Sequence, residues 1–249
     1  KRPPRGKKIL VTRPKDRAGT LSGKLRALGA DVVEYPCIET VPILPCPAME
    51  EALERIQSYA WLAFTSPAGV EAFWNCLRGM GKDARHLGGV QLAAIGSGTA
   101  KALAAHGLTA DLVPSVYDAA HLGAELAEQG GGKVLILRAE IGSPALTEAL
   151  EKGNMAYDDI PVYRTAYENP RSEELRGMLE AGDLPYVTFT SASTVKGFVS
   201  SVGEGADFSK VTGLCIGEQT AAEARSHGIA VKVARQATIE AVVDLARAL

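Results

Sequence analysis

The chain has 249 residues, with 27 Lys and Arg against 29 Asp and Glu, which gives a formal net charge of −2. This length predicts one or two domains, and 46% hydrophobic with 22% charged residues is ordinary for a soluble globular protein. The charge balance argues against partners such as nucleic acid or a membrane surface, which usually require a basic excess, and no apolar run approaches the ~20 residues of a membrane span.

Short apolar runs alternate with helical patterns along the whole chain. Several of the runs are continuously apolar, as expected for parallel strands that are covered on both faces. This alternation predicts an α/β fold with open, mostly parallel sheets. The predicted strands are KILVT (8–12), DVVEY (31–35), WLAFTS (61–66), QLAAIG (91–96), ADLVP (110–114), KVLILRA (133–139), YVTFTS (186–191), GLCIG (213–217) and IAVKVA (229–234). The helical patterns between them include 21–29, 68–80, 143–153 and 238–249.

The two halves of the chain repeat each other. ILVTRP corresponds to VLILRA, FTSPAGVEAF to FTSASTVKGF, and AAIGSGTAKAL to CIGEQTAAEA. The offsets between matching positions are 125 from Ile9 to Val134, 125 from Phe64 to Phe189, and 121 from Gly96 to Gly217. Three units in one order at nearly constant spacing indicate a duplication, and therefore two similar α/β domains.

Two extended segments with proline near their ends, 36–45 and 161–170, directly follow the first unit of each half. Proline disfavours a central strand, so we interpret both segments as interdomain linkers that pair as a small ribbon. The chain then crosses between domains twice. This arrangement predicts one discontinuous domain, 1–35 with 171–249, and one inserted domain, 46–160.

The four cysteines form no C-x-x-C pair, and no histidine lies at metal-ligand spacing from them, so a zinc site is not expected. Buried, reduced thiols in a cytoplasmic protein are the simpler interpretation. Cys46 is the exception, because its proline-rich surroundings predict exposure and allow reactivity. The familiar phosphate-loop, dinucleotide, metalloprotease and serine-hydrolase motifs are absent from the sequence.

Small hydroxylic residues instead follow four predicted strands. Ligands of open α/β sheets bind at the carboxyl ends of the strands, where helix N-termini present free N–H groups that suit anions. Serine and threonine are also preferred helix caps, so each of these residues alone is explained by capping. Four such loops, two in each predicted domain and facing a cleft, favour an anionic ligand. The candidate binding residues are Arg13, Ser66, Ser97, Thr99, Arg138, Ser191, Ser193 and Thr220.

Seven segments taken together resemble uroporphyrinogen-III synthases: ILVTRP, LRALGADVVEYPCIETVPI, FTSPAGVEAF, AAIGSGTAKAL, YDDIPVYRT, FTSASTVKGF and CIGEQTAAEA. The resemblance implies two flavodoxin-like domains joined by a two-stranded linker. It implies a lyase that closes the linear tetrapyrrole hydroxymethylbilane, with inversion of ring D, to uroporphyrinogen III without a cofactor. It also places Tyr163 on the family's linker tyrosine, either as a proton donor to the departing hydroxyl or as packing at the hinge.

We further expect a cytoplasmic monomer. The basic lead-in KRPPRGKK and the lack of an initial Met fit a domain fused behind a uroporphyrinogen methyltransferase, as in some bacteria. Two other classes stay open on the residues alone. One is a hinged binding or sensor protein for a small anion, which would not require the linker tyrosine. The other is a glycosyl- or nucleotidyl-transferring enzyme, for which the sequence offers no persuasive acidic sugar contact.

Overall fold

The computed structural model describes residues 6–167, 172–203 and 205–249. Part of the basic lead-in (1–5) and the end of the second predicted linker (168–170) lie outside these ranges. The described residues form ten strands: β1 (Lys8–Val11), β2 (Asp31–Glu34), β3 (Glu39–Pro42), β4 (Trp61–Phe64), β5 (Gln91–Ala94), β6 (Val134–Ala139), β7 (Tyr157–Ala166), β8 (Tyr186–Phe189), β9 (Thr212–Cys215) and β10 (Ala230–Val233).

Helices follow most of these strands, as the sequence periodicity predicts. They are α1 (Lys15–Ala27), α2 (Pro47–Glu54), α3 (Pro67–Gly79), α4 (Ser97–Ala105), α5 (Ala119–Gln129), α6 (Pro144–Lys152), α7 (Ser172–Glu180), α8 (Ala192–Val202), α9 (Glu218–Ser226) and α10 (Ile239–Arg247). Two short 3₁₀ turns lie at Ile56–Ser58 and Ala84–Leu87.

The chain divides into two compact units. Unit 1 comprises the described residues of Lys1–Glu39 and Thr165–Leu249, and unit 2 comprises Thr40–Arg164. The sheet of unit 1 has the order β10-β9-β8-β1-β2, and all four of its pairings are parallel. The second sheet has the order β3-β7-β6-β4-β5, with parallel pairings from β7 to β5. The predicted α/β class with parallel sheets is therefore confirmed.

The duplicated strands occupy the same places in the two sheets. In unit 1, β1 lies between β2 and β8; in unit 2 its sequence counterpart β6 lies between β7 and β4. The chain reaches these places in a different order, because unit 1 begins with its β1–β2 half whereas unit 2 ends with its β6–β7 half. The two sheets therefore share one strand order although the chain enters them at different points.

Apolar layers cover both faces of each sheet, which explains the continuous apolar runs. In β1, Leu10 packs with Phe189 and Phe198 on one face, whereas Ile9 and Val11 pack on the other. Side chains alternate along a strand, so a strand covered on both sides needs apolar residues at every position. Unit 2 repeats this arrangement, with Phe64 and Phe73 on one face and Trp61 and Ile136 on the other.

The two predicted linkers contribute strands that are neighbours. β3 lies within the first linker segment and is hydrogen-bonded to β7, and the Ile43 N–H donates to the Val162 carbonyl at 3.0 Å just beyond β3. β7 is longer than the linker prediction implies, because its first half pairs with β6. Pro161 is accommodated inside this strand where the β6–β7 register shifts, between Arg138 and Ala139. Such an irregularity is one of the few places in a sheet that tolerate proline.

The predicted strand at 110–114 is wrong in its extent. It is reduced to a single parallel bridge between Leu112 and Ala93. The Asp111 carboxylate accepts a hydrogen bond from the Leu92 N–H at 2.7 Å, and Pro114, which lacks an N–H, follows two residues after Leu112. A side chain thus replaces part of the backbone ladder. The counterpart in unit 1, β10, pairs with β9 over four residues.

Candidate active site

Ser66 begins helix α3 directly after strand β4. Its hydroxyl oxygen accepts a hydrogen bond from the Gly69 N–H at 3.1 Å, which caps one of the free donors of the first helical turn. Pro67 occupies the first helical position, where a missing N–H costs nothing. Gly69 is required by proximity, because a Cβ there would lie 2.8 Å from the Leu137 carbonyl oxygen of β6. The helix N-terminus is therefore held tightly against the sheet.

Tyr163 joins this loop from the other side of strand β6. It lies on β7 beside Ala139, and its carbonyl accepts from the Glu140 N–H at 2.8 Å. Its phenolic oxygen lies 2.7 Å from the Ser66 hydroxyl oxygen. The side chain is 8% exposed and packs with the apolar layer around Phe64. A buried phenol and a helix-capping serine, 97 residues apart in the chain, therefore form a hydrogen-bonded pair at the carboxyl end of the sheet.

Arg138 lies at the same end of β6 but is engaged within the protein. Its guanidinium forms a two-point ion pair with Asp159, at 3.0 Å from Nε to Oδ1 and 2.7 Å from Nη2 to Oδ2. Its Nη1 also donates to the Ser143 carbonyl at 2.9 Å, and the residue is 6% exposed. Through these contacts Arg138 links β6 to β7 and to the start of α6. A direct role in binding substrate stays a prediction.

The second loop of unit 2 lies after β5, at the N-terminus of α4. Gly96 precedes the helix without a side-chain cap, Ser97 is half-buried, and Thr99 is 3% exposed. The Tyr117 ring lies close against Gly96, since a Cβ there would meet ring carbons at 3.0 Å. Thr99 thus lies in the interior of the unit, whereas Ser97 is the more accessible hydroxyl of this loop.

The loop of unit 1 that corresponds to the Ser66 loop lies between β8 and α8, and its hydrogen bonds are made within the loop. Ser191 Oγ accepts from the Thr194 N–H at 3.1 Å, and Thr194 Oγ1 accepts from the Ser191 N–H at 3.2 Å, which forms a reciprocal capping box. Ser193 is half-buried in the first turn of the same helix. Ile38 stands 125 positions before Tyr163 and is buried, so an aliphatic side chain replaces the phenol.

The last loop of unit 1 contains Thr220, which is 4% exposed in the first turn of α9. Glu218 also lies in this turn, and its charge would oppose an anionic ligand. That carboxylate is paired with Arg225 in the last turn of the same helix, which reduces the opposition. Arg13 follows β1 and is half-buried. Arg13 and Thr220 thus follow strands β1 and β9 of this sheet, and their part in binding substrate stays a prediction.

Burial in the fold accounts for three of the cysteines, Cys37, Cys46 and Cys215. The prediction that Cys46 is exposed is wrong: the residue is buried, and its Sγ lies 3.7 Å from the Pro161 carbonyl. The flanking Pro45 and Pro47 are themselves exposed, whereas Cys46 packs in the apolar layer around Phe64. Burial raises the pKa of the Cys37 and Cys215 thiols to about 12, which keeps both protonated and unreactive.

His106 and His227 are the residues at the C-terminal ends of α4 and α9. The ring of His106 stacks on Trp74 and its Nε2 lies 3.0 Å from a Glu71 oxygen. Within the described ranges, no group of three or more His, Cys, Asp or Glu residues is placed to hold a metal ion. None of the helices in the same ranges is long and apolar enough to cross a bilayer.

The uroporphyrinogen-III synthase HemD family model matches residues 19–244. The chain is 42% identical over 246 residues to the porphyrin biosynthesis protein HemD of Ruminiclostridium josui, a match that covers 98% of this chain and 49% of that protein. The chain thus spans about half the length of this relative. It is also 29% identical to the uroporphyrinogen-III synthase of Synechococcus elongatus, covering 85% of this chain and 81% of that protein.

Solved structures support the fold. The chain resembles a mutant uroporphyrinogen III synthase from the extremely thermophilic bacterium Thermus thermophilus with a TM-score of 0.64 at 17% identity, over 96% of each chain. It resembles the enzyme from Helicobacter pylori with a TM-score of 0.63 at 20% identity, over 96% of this chain and 98% of that one. The matches favour the synthase interpretation over a binding protein or a transferase. The chain belongs to the uroporphyrinogen-III synthase family.

Proposed function

We propose that this chain closes hydroxymethylbilane to uroporphyrinogen III with inversion of ring D. The single observation that carries the proposal is the buried Tyr163 phenol at 2.7 Å from the Ser66 hydroxyl, in a chain whose family makes this product. The first chemical event is loss of the substrate's terminal hydroxyl. The C–O bond breaks, its electron pair goes to oxygen, and one proton is needed for water to leave.

Tyr163 is placed to supply that proton. A phenol has an ordinary pKa near ~10, so it serves as a hydrogen-bond donor or weak general acid rather than as a strong acid. A weak donor is sufficient here, because the pyrrole nitrogen assists departure of the hydroxyl and water is lost from this substrate readily. The remaining steps are attack to form a spiro intermediate and rearrangement. For these steps the protein's task is to fold ring D so that the attack occurs at its substituted carbon.

Binding is proposed to be distributed over many weak contacts. The substrate carries eight carboxylates, and the N-termini of α3, α4, α8 and α9 all follow strands at their carboxyl ends. Backbone N–H groups and the partial positive charge of a helix N-terminus suit carboxylates without a large excess of lysine and arginine. The hydroxyls assigned to this task are Ser66, Ser97, Thr99, Ser191, Ser193 and Thr220, together with the arginine Arg13.

We propose further that both units are flavodoxin-like domains and that the paired strands β3 and β7 contain the two crossings between them. The support is the strand order β2-β1-β8-β9-β10, which is the flavodoxin order 2-1-3-4-5 when the strands are renumbered within unit 1. The corresponding strands of unit 2 follow the same order. We also propose that the protein acts as a cytoplasmic monomer and needs no cofactor, since positioning and proton donation account for the reaction.

Separation of the product isomers tests the proposed activity. Freshly made hydroxymethylbilane is incubated with the purified protein, the products are oxidised, and the type I and type III isomers are separated. The type III isomer is expected in excess, while a parallel incubation without protein gives type I by spontaneous closure. Type I alone in both incubations would overturn the proposal.

A further inference from the structure

The register between β6 and β7 shifts by one residue where β7 reaches Tyr163. Arg138 is paired with Pro161, but the next residue of β6, Ala139, is paired with Tyr163. Val162 is therefore an extra residue of β7 between these two pairs. Because side chains alternate between the two faces of a sheet, one extra residue moves every later side chain of its strand to the opposite face.

This shift decides which face of the sheet presents the phenol. Val162 and Tyr163 are consecutive, yet both pack in the apolar layer around Phe64. An unshifted strand would turn Tyr163 to the opposite face, which is covered by the layer around Ile136. The contact between the phenol and the Ser66 hydroxyl therefore depends on the shift, as irregular strand pairing often re-aims a side chain beside an active site.

The ion pair between Arg138 and Asp159 lies immediately before the shift. Asp159 is paired with Ile136, and Arg138 lies two residues further along β6, so both side chains lie on the Ile136 face. The pair bridges the strands diagonally, and its two contacts at 3.0 and 2.7 Å fix orientation as well as distance. A slip of one residue would move Asp159 about 3.3 Å along the strand, turn it to the other face and break both contacts.

The same guanidinium holds the loop that follows the shift. Its Nη1 donates to the Ser143 carbonyl at 2.9 Å, and a Cβ on Gly142 would lie 2.9 Å from Arg138 Cζ. The loop begins at Glu140, whose N–H donates to the Tyr163 carbonyl at 2.8 Å. Arg138 thus contacts β7 before the shift and the β6–α6 loop after it, and that loop is bonded to the backbone of Tyr163.

We propose that the ion pair of Arg138 with Asp159 maintains the register shift that places Tyr163, which makes Arg138 a positioning residue. Pro161 lies at the shift and has no N–H for the ladder, so side-chain contacts take a larger part in holding the strands there. The assignment concerns the position of the phenol and holds whichever group the phenolic proton meets. Its catalytic part rests on the proposed synthase function; its structural part does not.

Amide hydrogen exchange tests the structural part without substrate. Asp159→Asn removes the charge of the pair and should raise the exchange rate of the Glu140 amide at least about tenfold, because that N–H is bonded across the shift. Asp158→Asn is the matched control: it removes the ion pair with Lys133 at 2.9 Å, on the other face and nearer the amino end, and should leave the Glu140 rate unchanged. An unchanged Glu140 rate in Asp159→Asn would overturn the inference.

Kinetics separate positioning from direct binding of substrate. Arg138→Gln and Asp159→Asn should lower kcat by a similar factor, about tenfold, with little change in KM, because a small displacement of a reacting group lowers the rate steeply. If Arg138 instead bound a substrate carboxylate, Arg138→Gln would raise KM while Asp159→Asn, which keeps the arginine, would not. That result would overturn the assignment.

Removal of the phenol distinguishes positioning from a general loss of stability. In a Tyr163→Phe background, Asp159→Asn should lower kcat by less than about twofold, since the group that it helps to place is gone. A full tenfold loss in that background would show that the pair does not act through Tyr163.

A single change leaves a buried charge without its partner and can prevent folding, so a double variant keeps the test decisive. Arg138→Met with Asp159→Leu replaces the pair by apolar side chains, an exchange that buried ion pairs often tolerate. It should fold with faster Glu140 exchange and reduced kcat, and wild-type values would overturn the inference. If the wild-type chain forms only the type I isomer while Asp159→Asn accelerates Glu140 exchange, the synthase function is refuted and the structural role of the pair stands.

Discussion

The loops after β4 and β8 begin with the same three residues, Phe-Thr-Ser, yet they are completed differently. In unit 2 the third helical residue is Gly69, and the Ser66 hydroxyl contacts the phenol of Tyr163. In unit 1 the third helical residue is Thr194, whose side chain returns to the backbone of Ser191. One loop is connected to β7, which lies beyond β6 in the sheet, whereas the other is satisfied within its own helix.

This difference separates two tasks that a duplicated loop can perform. A capping box satisfies backbone donors locally and stabilises the helix start, which any α/β unit needs. A serine that also contacts a buried phenol couples the helix start to β7. The duplication therefore leaves the loop of unit 1 as a helix cap with a proposed binding role, and the proposed proton donor lies in unit 2. The predictions below test this division.

The largest effect is expected for Tyr163→Phe, which removes the phenolic oxygen and little else. A positioned proton donor contributes typically 10²–10⁴-fold, and ready loss of water from the substrate places the expected fall in kcat near the lower end, about 100-fold. Single-turnover kinetics with hydroxymethylbilane measure it. Tyr157→Phe is the control, because Tyr157 begins the same strand and donates to Glu151 at 2.5 Å. Full activity of Tyr163→Phe would contradict the proposed role.

The next effect concerns Gly69, which allows the start of α3 to pack closely against β6. Gly69→Ala is expected to destabilise the protein by about 1–3 kcal/mol, because the new Cβ would lie 2.8 Å from a backbone carbonyl that cannot move independently. Urea unfolding measures the change. Gly79→Ala in the last turn of the same helix is the control: an added Cβ there meets nothing within 4 Å, so alanine should be neutral or stabilising. Equal behaviour of the two variants would show that α3 has room to shift.

Removal of the buried hydroxyls should have smaller effects on activity. Thr99→Val and Thr220→Val keep the branched shape and lose one hydroxyl each, so kcat/KM should fall about 2- to 13-fold if the hydroxyl contributes an ordinary hydrogen bond to substrate binding. Thr212→Val is the control, because Thr212 begins β9 at the amino end of the strand, away from the proposed binding loops. Abolition of activity by one of these changes, with the fold intact, would mean that a single hydroxyl performs the chemistry.

The smallest effect lies at the amino end of the unit 2 sheet, where Tyr59 donates to Asp158 at 2.5 Å. The Tyr59 hydrogen bond, aided by Lys133, lowers the pKa of Asp158, and burial followed by Asp158 raises the pKa of Tyr59 to about 12. The lowered pKa of Asp158 contributes stability at pH values above the unfolded carboxyl pKa near ~4. This contribution is lost as the pH falls through the pKa of the folded state. The raised pKa of Tyr59 contributes stability at pH values below the unfolded phenol pKa near ~10. This contribution is lost as the pH rises through about 12.

Tyr59→Phe should therefore cost about 1 kcal/mol between roughly pH 4 and 10, with the difference from wild type shrinking outside that window. Urea unfolding at several pH values measures it. Leu184→Met is the matched control in unit 1, where an apolar residue stands at the equivalent position and no pH-dependent difference is expected. A constant difference across the whole range from acid to alkali would mean that the hydrogen bond between Tyr59 and Asp158 contributes nothing.

The sequence alone determined the α/β class, the duplication and the positions of the hydroxyls after strands. These features depend on local information: apolar runs covered on two faces, serine and threonine at helix starts, and repeated spacing. Ser66 and Ser191 are both caps, as expected for serines that precede helices. Local information failed at 110–114, because an aspartate side chain there competes with the backbone ladder and shortens the predicted strand to one bridge.

Only the tertiary structure decided which residues meet. Ser66 contacts Tyr163 because β4, β6 and β7 are neighbours in the sheet, although their sequence order is interrupted by β5. Arg138 pairs with Asp159 for the same reason, since β6 and β7 lie side by side. Strand order is set by how whole layers bury their apolar faces, a property of the assembled sheet that no short segment encodes. The sequence thus named the candidate residues, and the packing of the strands decided that one serine contacts a phenol while its duplicate does not.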